Sequence, residues 1–349
     1  MLKKMLLALA LPLLALASVT FGAVATDPQF EKIKNGLYEK AKQEGGLIVY
    51  SVWDVEHLVK ITQAFANRFP GIKTSYWQAR NPEIVTKTIT EFQAGQASVD
   101  VILSDNAPPV LRAAGAIQPY ETVQKNALVI HDPTIPVVSL QIQALGYNTK
   151  KMKAEDLPKT WEDVANPKYK GIVALDDPMR AGPLSTMLAT LKGAWKDDAR
   201  WTAFIKGLKA LGVPTHKSTS ASFRLVISGE YSIAMPALLH DVMHEKEKGT
   251  PVNFVTTAPP VVFPRQAGIY IKAPHPNAAK LFAEWLITPE GQSQIDSLGR
   301  EVARKGITSK TSLETIFPAG TKAFTPEDKL FLEDPKKWLD TYVQPVWGS

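Results

Sequence analysis

Apolar positions along the chain alternate between short unbroken runs and runs spaced at three and four. Residues 27–44 carry a charged, weakly amphipathic pattern closed by Gly45-Gly46, which predicts a first helix. Leu47-Ile48-Val49-Tyr50 is nearly all apolar and suits a parallel strand buried on both faces. From 55 to 69 the residues Leu58, Ile61, Phe65 and Phe69 recur at three and four until Pro70-Gly71 stops them, which predicts a helix. Residues 72–77 return to a strand, 82–93 form a helix ending at Gly95, and Val99-Asp100-Val101-Ile102-Leu103 is another buried strand. Strand, helix, strand, helix, strand is the order of a parallel α/β layer.

A second set begins after Tyr147-Asn148. Residues 161–165 predict a short helix and Gly171-Ile172-Val173-Ala174-Leu175 a buried strand. Residues 183–192 predict a helix with Leu184, Met187, Leu188 and Leu191 on one face. Residues 198–211 present Trp201, Phe204, Ile205 and Leu208, and 222–228 lead through Gly229 into a strand at 231–235. Two extended stretches rich in valine and isoleucine, 135–147 and 252–271, flank this set and read as crossovers between lobes. Afterwards Pro276-Asn277 opens a helix with Leu281, Phe282, Trp285 and Leu286, and Thr288-Pro289 starts another in cap and first-turn positions. A chain that leaves one lobe, builds a second and returns encloses a cleft able to open and close.

The N-terminus adds a location. Lys3 and Lys4 precede the 13-residue apolar run 5–17, and Ala23-Val24-Ala25 is a small-x-small cleavage site, together the pattern of a secretory signal peptide over 1–25. That run falls short of the roughly 20 residues a membrane span needs. The chain has no cysteine, hence no lipid-attachment cysteine and no disulfide framework, and a protein free in the periplasm is expected. Its 349 residues exceed the usual size of a single core, so two domains are expected. The net charge is +6, two units of it in Lys3 and Lys4, and no basic block suggests nucleic acid.

In five segments the chain resembles the periplasmic solute-binding proteins of ABC importers, in the type II subgroup of ferric-ion, polyamine, thiamine and phosphonate binders. They are Leu37 to Gly45, Val99-Asp100-Val101-Ile102-Leu103-Ser104, Leu145-Gly146-Tyr147-Asn148-Thr149, Gly229-Glu230-Tyr231-Ser232-Ile233-Ala234, and Ala273 to Lys280 with Thr288-Pro289-Glu290-Gly291-Gln292. The resemblance implies a two-lobed α/β type II periplasmic binding protein fold, with central mixed sheets flanked by helices and two hinge crossover strands. Lobe 1 is expected over 26–138 and 262–310, lobe 2 over 148–255, and hinge segments over 139–147 and 256–261. The C-terminal helices of 311–349 are expected to pack on lobe 2. It further implies as partners a small solute, a membrane permease and an ATPase, with this chain a monomer that catalyses nothing and holds no cofactor.

The same resemblance places the ligand in the cleft, on loops after strand ends, in agreement with the binding rule for open α/β sheets. In lobe 1 these loops supply Ser51, Trp53 and Asp54, then Arg80, then Ser104 and Asp105. In lobe 2 they supply Arg180, Ala181 and Gly182, then Ser218 and Thr219, then Pro236 and Ala237, while Arg265 sits near the return crossover. Asp177-Pro178-Met179-Arg180-Ala181-Gly182 runs straight into a helix whose start offers unpaired N–H groups and partial positive charge, and Arg180 can add a bidentate clamp. A carboxylate, phosphonate or phosphate ester suits such a place; a solvated arginine beside a turn is the plain alternative, and it applies equally to Arg80 and Arg265. Ser51, Ser104, Ser218 and Thr219 can donate hydroxyl hydrogen bonds, although a serine before a helix also reads as its cap. Trp53 can stack on the ligand or pack a lobe wall, and Trp77 reads as core.

Ferric binders of the resembled family use two adjacent tyrosines after the strand corresponding to 231–235. Here the chain reads Pro236-Ala237-Leu238-Leu239, which argues against a ferric ion held directly by protein; a ferric or metal-chelate receptor stays the second reading. His240 and His244 share a helical face around Asp241, yet a structural metal usually wants four ligands, so no metal site is assigned. Gly-x-Ser-x-Gly, P-loop and His-Glu-x-x-His motifs are lacking, and a secreted hydrolase is the reading of a different class.

Overall fold

A computed structural model describes residues 26–318 and 320–348. The signal-peptide expectation falls on 1–25, outside the described residues.

Among the described residues ten strands form one sheet in two halves, eight of them on a single path. They are β1 (Gly46–Ser51), β2 (Lys73–Gln78), β3 (Val101–Ser104), β4 (Val137–Asn148), β5 (Val173–Asp176), β6 (Thr215–His216), β7 (Ile233–Leu238), β8 (Val252–Val255), β9 (Val262–Ile269) and β10 (Glu301–Val302). Their order is β2-β1-β3-β9-β4-β7-β5-β6, with β8 and β10 each pairing to β4. In the first half β2, β1 and β3 are parallel and β9 runs antiparallel to β3. In the second half β6, β5 and β7 are parallel, and β7 and β8 run antiparallel to β4.

The long strand β4 belongs to both halves. Residues 139–142 pair with β9 and 143–148 with β7 and β8. Its alternation explains its position: Leu140 and Ile142 face the core shared with Val49, Phe65, Phe282 and Trp285, whereas Ser139, Gln141 and Gln143 lie on the opposite face. A fully buried strand that keeps three polar side chains on one face must satisfy them locally. The second core gathers Leu145, Trp161, Leu175, Met187, Trp201 and Phe263.

The C-terminal segment divides between the lobes. Leu313 and Phe317 pack in the first core, while Phe331, Trp338, Leu339 and Val343 pack in the second. Between them Phe324 exchanges backbone hydrogen bonds with Pro260 and Val262, so the chain passes between the lobes a third time, bonded to the stretch that precedes β9.

Helix starts follow their caps. Asp27 accepts from the N–H groups of Gln29 and Phe30 ahead of the helix Pro28–Glu44, and Thr288 accepts from Gly291 N–H ahead of Pro289–Ser297. The helix Ala107–Ala113 directly follows β3 and carries Pro108 and Pro109 in its first turn, where the missing N–H has no intrahelical partner to lose.

Candidate functional site

The two lobes meet along a cleft in which three cavities open. One, of about 340 Å³, is lined by Arg80 from the end of β2 and by Asp177, Arg180, Thr215, His216 and Lys217 from the ends of β5 and β6. Three of the loops nominated from sequence thus converge on one space, with Arg80 from one lobe and Arg180 from the other. Both arginines are exposed, and neither is held in an ion pair among the described residues. His216 packs edge-on against Tyr231 at 5.8 Å between ring centroids, and its buried Nε2 has no hydrogen-bond partner.

Behind this cavity Asp176 organises the second lobe. It is buried, and its carboxylate accepts from Thr219 Oγ1 at 2.9 Å and from Asp177 N–H at 2.9 Å. Burial pushes its carboxyl above the usual range against the pull of those hydrogen bonds and of Arg180. Thr219 therefore points inward. Ser218 caps the helix Thr219–Ser228, accepting from Ala221 N–H at 3.1 Å. Gly182 stands at the start of the helix Pro183–Trp195, whose first turn carries no acidic residue, and its N–H donates to Ser185 Oγ at 2.9 Å; Ala181 beside it is exposed.

A second cavity, of about 540 Å³, is lined by Asp54, His57, His240, Asp241, His244 and Arg300 among others. Arg300 is 4% exposed, donates to His57 Nδ1 at 2.9 Å and to Asp54 at 3.3 Å, and lies 4.7 Å over the Trp53 ring. Burial, and after it the charge of Arg265, push its guanidinium down to about 9. Trp53 itself is fully buried in the first core, with its indole N–H unpartnered, so it supports Arg300 rather than lining a wall. The third cavity, of about 330 Å³, includes Asp105, Arg112, Asp132 and Gln266 together with Leu332 of the C-terminal segment.

The remaining nominated residues are engaged in contacts within the fold. Ser51 Oγ donates to Leu103 O at 2.8 Å and accepts from Trp53 N–H, so it ties β1 to β3. Ser104 Oγ donates to Asn81 and Asp105, and Asp105 accepts from Asn81 Nδ2 at 2.8 Å. Pro236 and Ala237, read as loop, continue β7, which runs on to Leu238 because its pairing with β4 extends past Met235, where its pairing with β5 ends. Arg265 is 6% exposed on β9, with Nη2 donating to Gln141 Oε1 at 2.6 Å. Trp77, read as core, is half-buried against Tyr50 at 5.0 Å.

Sequence reasoning passed over Gln143, Arg300 and Glu301. Gln143 had a signal, since Ser139, Gln141 and Gln143 are the polar residues interrupting an apolar run. Arg300 and Glu301 had none, because their partners His57 and His240 are 243 and 61 residues away. His240 and His244 do not form a metal cluster: among the described residues no group of three or more His, Cys, Asp or Glu is placed to hold an ion.

This two-lobed arrangement is that of the periplasmic binding proteins. The substrate-binding protein of an ABC transporter from Agrobacterium tumefaciens aligns with a TM-score of 0.71 at 17% identity, covering 88% of this chain and 97% of that one. AfuA from Actinobacillus pleuropneumoniae, solved with fructose-6-phosphate bound, aligns with a TM-score of 0.71 at 22% identity, covering 85% and 99%. The major ferric iron-binding protein of Neisseria gonorrhoeae is 26% identical over 285 residues, 77% of this chain and 84% of that one. Residues 56–293 match the bacterial extracellular solute-binding protein family, and the chain belongs to it. Its role is that of the solute-binding component of an ABC transporter. No described helix is long and apolar enough to cross a membrane.

Proposed function

We propose that this protein captures a small anionic organic solute, a carboxylate, phosphonate or phosphate ester, in the interlobe cleft in the periplasm and delivers it as a monomer to an inner-membrane permease and its ATPase. One observation carries the reading: Arg80 and Arg180 come from opposite lobes and line one cavity together with Lys217. A solute that touches both arginines has more contacts in the closed arrangement than in an open one, and only such a difference in affinity drives closure. Guanidinium forks match carboxylate and phosphate oxygens in pairs, which gives orientation as well as attraction. The fold accommodates a sugar phosphate in AfuA, which agrees with this class.

The similarity to a ferric iron-binding protein supports a second reading, a ferric or metal-chelate receptor. One experiment separates the two. Thermal melting is followed with panels of carboxylates, phosphonates and phosphate esters, with ferric salts with and without citrate, and with polyamines, for the native chain and for Arg180→Gln. The anion reading expects a raised melting point with a member of the first panel, lost in Arg180→Gln. A shift confined to ferric salts or polyamines contradicts it.

A further inference from the structure

The cavity lined by Arg80, Asp177, Arg180 and Lys217 divides its charge unevenly between the lobes. The second lobe contributes two cations, Arg180 and Lys217, and one carboxylate, Asp177, a net charge of +1, while the first lobe contributes Arg80. All three cations are exposed, and none is held in an ion pair among the described residues. Asp177 is half-buried, its Oδ1 accepts from Met179 N–H at 2.9 Å, and it too makes no ion pair among them. Thr215 and His216, counted neutral, complete the lining. Asp176 stands behind this wall, buried, its carboxylate engaged by Thr219 Oγ1 and Asp177 N–H.

This division makes closure depend on the charge of the solute. With the cavity empty, Arg80 meets a wall of net charge +1 and is repelled. A singly charged anion on Arg180 and Lys217 cancels that charge and leaves little to draw Arg80 in. A doubly charged anion reverses its sign, and the loaded wall then attracts Arg80 across the cleft. A ligand shifts a conformational balance only by its difference in affinity for the two states, and here that difference requires the second charge.

We propose that Arg80 reserves closure for solutes with a doubly charged anionic head, while singly charged anions bind the second lobe alone. This rests on the reading of the cleft as an anion receptor and narrows it to dianions. Two sources share that chemistry: phosphate monoesters with phosphonates, and dicarboxylates.

Calorimetry and small-angle X-ray scattering at pH 8, well above the second pKa of about 6 of a phosphate monoester, test it with two pairs of probes whose members differ by one charge. The pairs are glucose 6-phosphate against glucose 6-sulfate, and succinate against succinamate. The expected result is that in at least one pair the dianion binds about ten-fold or more tightly than its monoanionic counterpart, and that the dianion alone lowers the radius of gyration. The pair that shows this names the source. Arg80→Gln, at an exposed position, brings the dianion down to the affinity of its counterpart and abolishes the compaction. Equal binding within both pairs by the native chain overturns the proposal, as does a preference without compaction, compaction by a monoanion, or a preference that survives Arg80→Gln. Arg180→Gln weakens both members of a pair; if it changes nothing, or if none of the four probes binds, the anion reading beneath the proposal fails instead.

Discussion

His240 Nδ1 lies 3.1 Å from each carboxylate oxygen of Glu301, joining the helix that follows β7 to the two-residue strand β10. Glu301 is 1% exposed, and its Oε1 also accepts from Ile142 N–H at 3.4 Å on β4. Burial alone pushes its carboxyl up, but the charge and hydrogen bond of His240, with the charge of Arg265, outweigh burial and hold it below the usual range.

Glu301→Gln is therefore expected to destabilise the protein at pH 7 by on the order of 3–5 kcal/mol, the cost of breaking a buried pair. A carboxyl held low in the folded state contributes stability that is present above the unfolded value of about 4.3 and is lost as pH falls through the folded one. Urea unfolding of both proteins over a pH series checks this: their difference is full near neutrality and closes in acid below the unfolded value. A difference that does not change with pH contradicts the pairing.

His57 also costs stability in acid, but here it is the neutral form that the fold keeps. Burial, and after it the positive charge of Arg300, push its imidazole down to about 4, and its Nδ1 accepts the Arg300 Nε–H. The ring is thus neutral at pH 7, and Asp54 at 3.8 Å makes no ion pair with it there. The unfolded chain protonates at about 6.5 while the folded one does not, so stability falls as pH drops from about 6.5 toward about 4. Nuclear magnetic resonance titration of the His57 ring is expected to give a midpoint near 4, and His57→Gln to flatten the acid-side loss of stability over that window.

Two glycines are expected to respond oppositely to alanine. A methyl on Gly46 meets the His275 ring at 2.6 Å. That ring cannot swing away, because its Nδ1 lies 2.9 Å from the buried Asp100 and its backbone N–H donates to the same carboxylate at 2.7 Å. Gly46→Ala is expected to cost about 1–3 kcal/mol, the range for overpacking. At Gly36, inside the helix Pro28–Glu44, nothing lies within 4 Å, and Gly36→Ala is expected to gain about 0.5–1 kcal/mol from helix propensity. Chemical denaturation of the two variants measures both signs.

Much of this architecture is written in local periodicity. The helix at Leu58, Ile61 and Phe65, the buried strands at Leu47 to Tyr50 and Val101 to Leu103, and the crossover that became β4 each follow from runs of apolar residues within one element. Short pieces escaped because they carry too little pattern: β6 and β10 are two residues each and exist only through their neighbours. Arg80 and Arg180 were nominated because strand-end loops are where open sheets bind, and the structure brings both to one cavity with Lys217. Trp53 was misjudged, since a tryptophan in a loop gives no sign that an arginine from 247 residues later will lie over it. The pairing of Arg265 with Gln141 depends on the register of β4 against β9, and no local feature of either strand states it.

Native mass spectrometry of the 349-residue chain, purified without dialysis or added ligand, tests the central claim most directly. The account predicts one organic anion retained per protein, absent from Arg180→Gln purified in the same way. A retained ferric ion, or a solute held equally by Arg180→Gln, contradicts it.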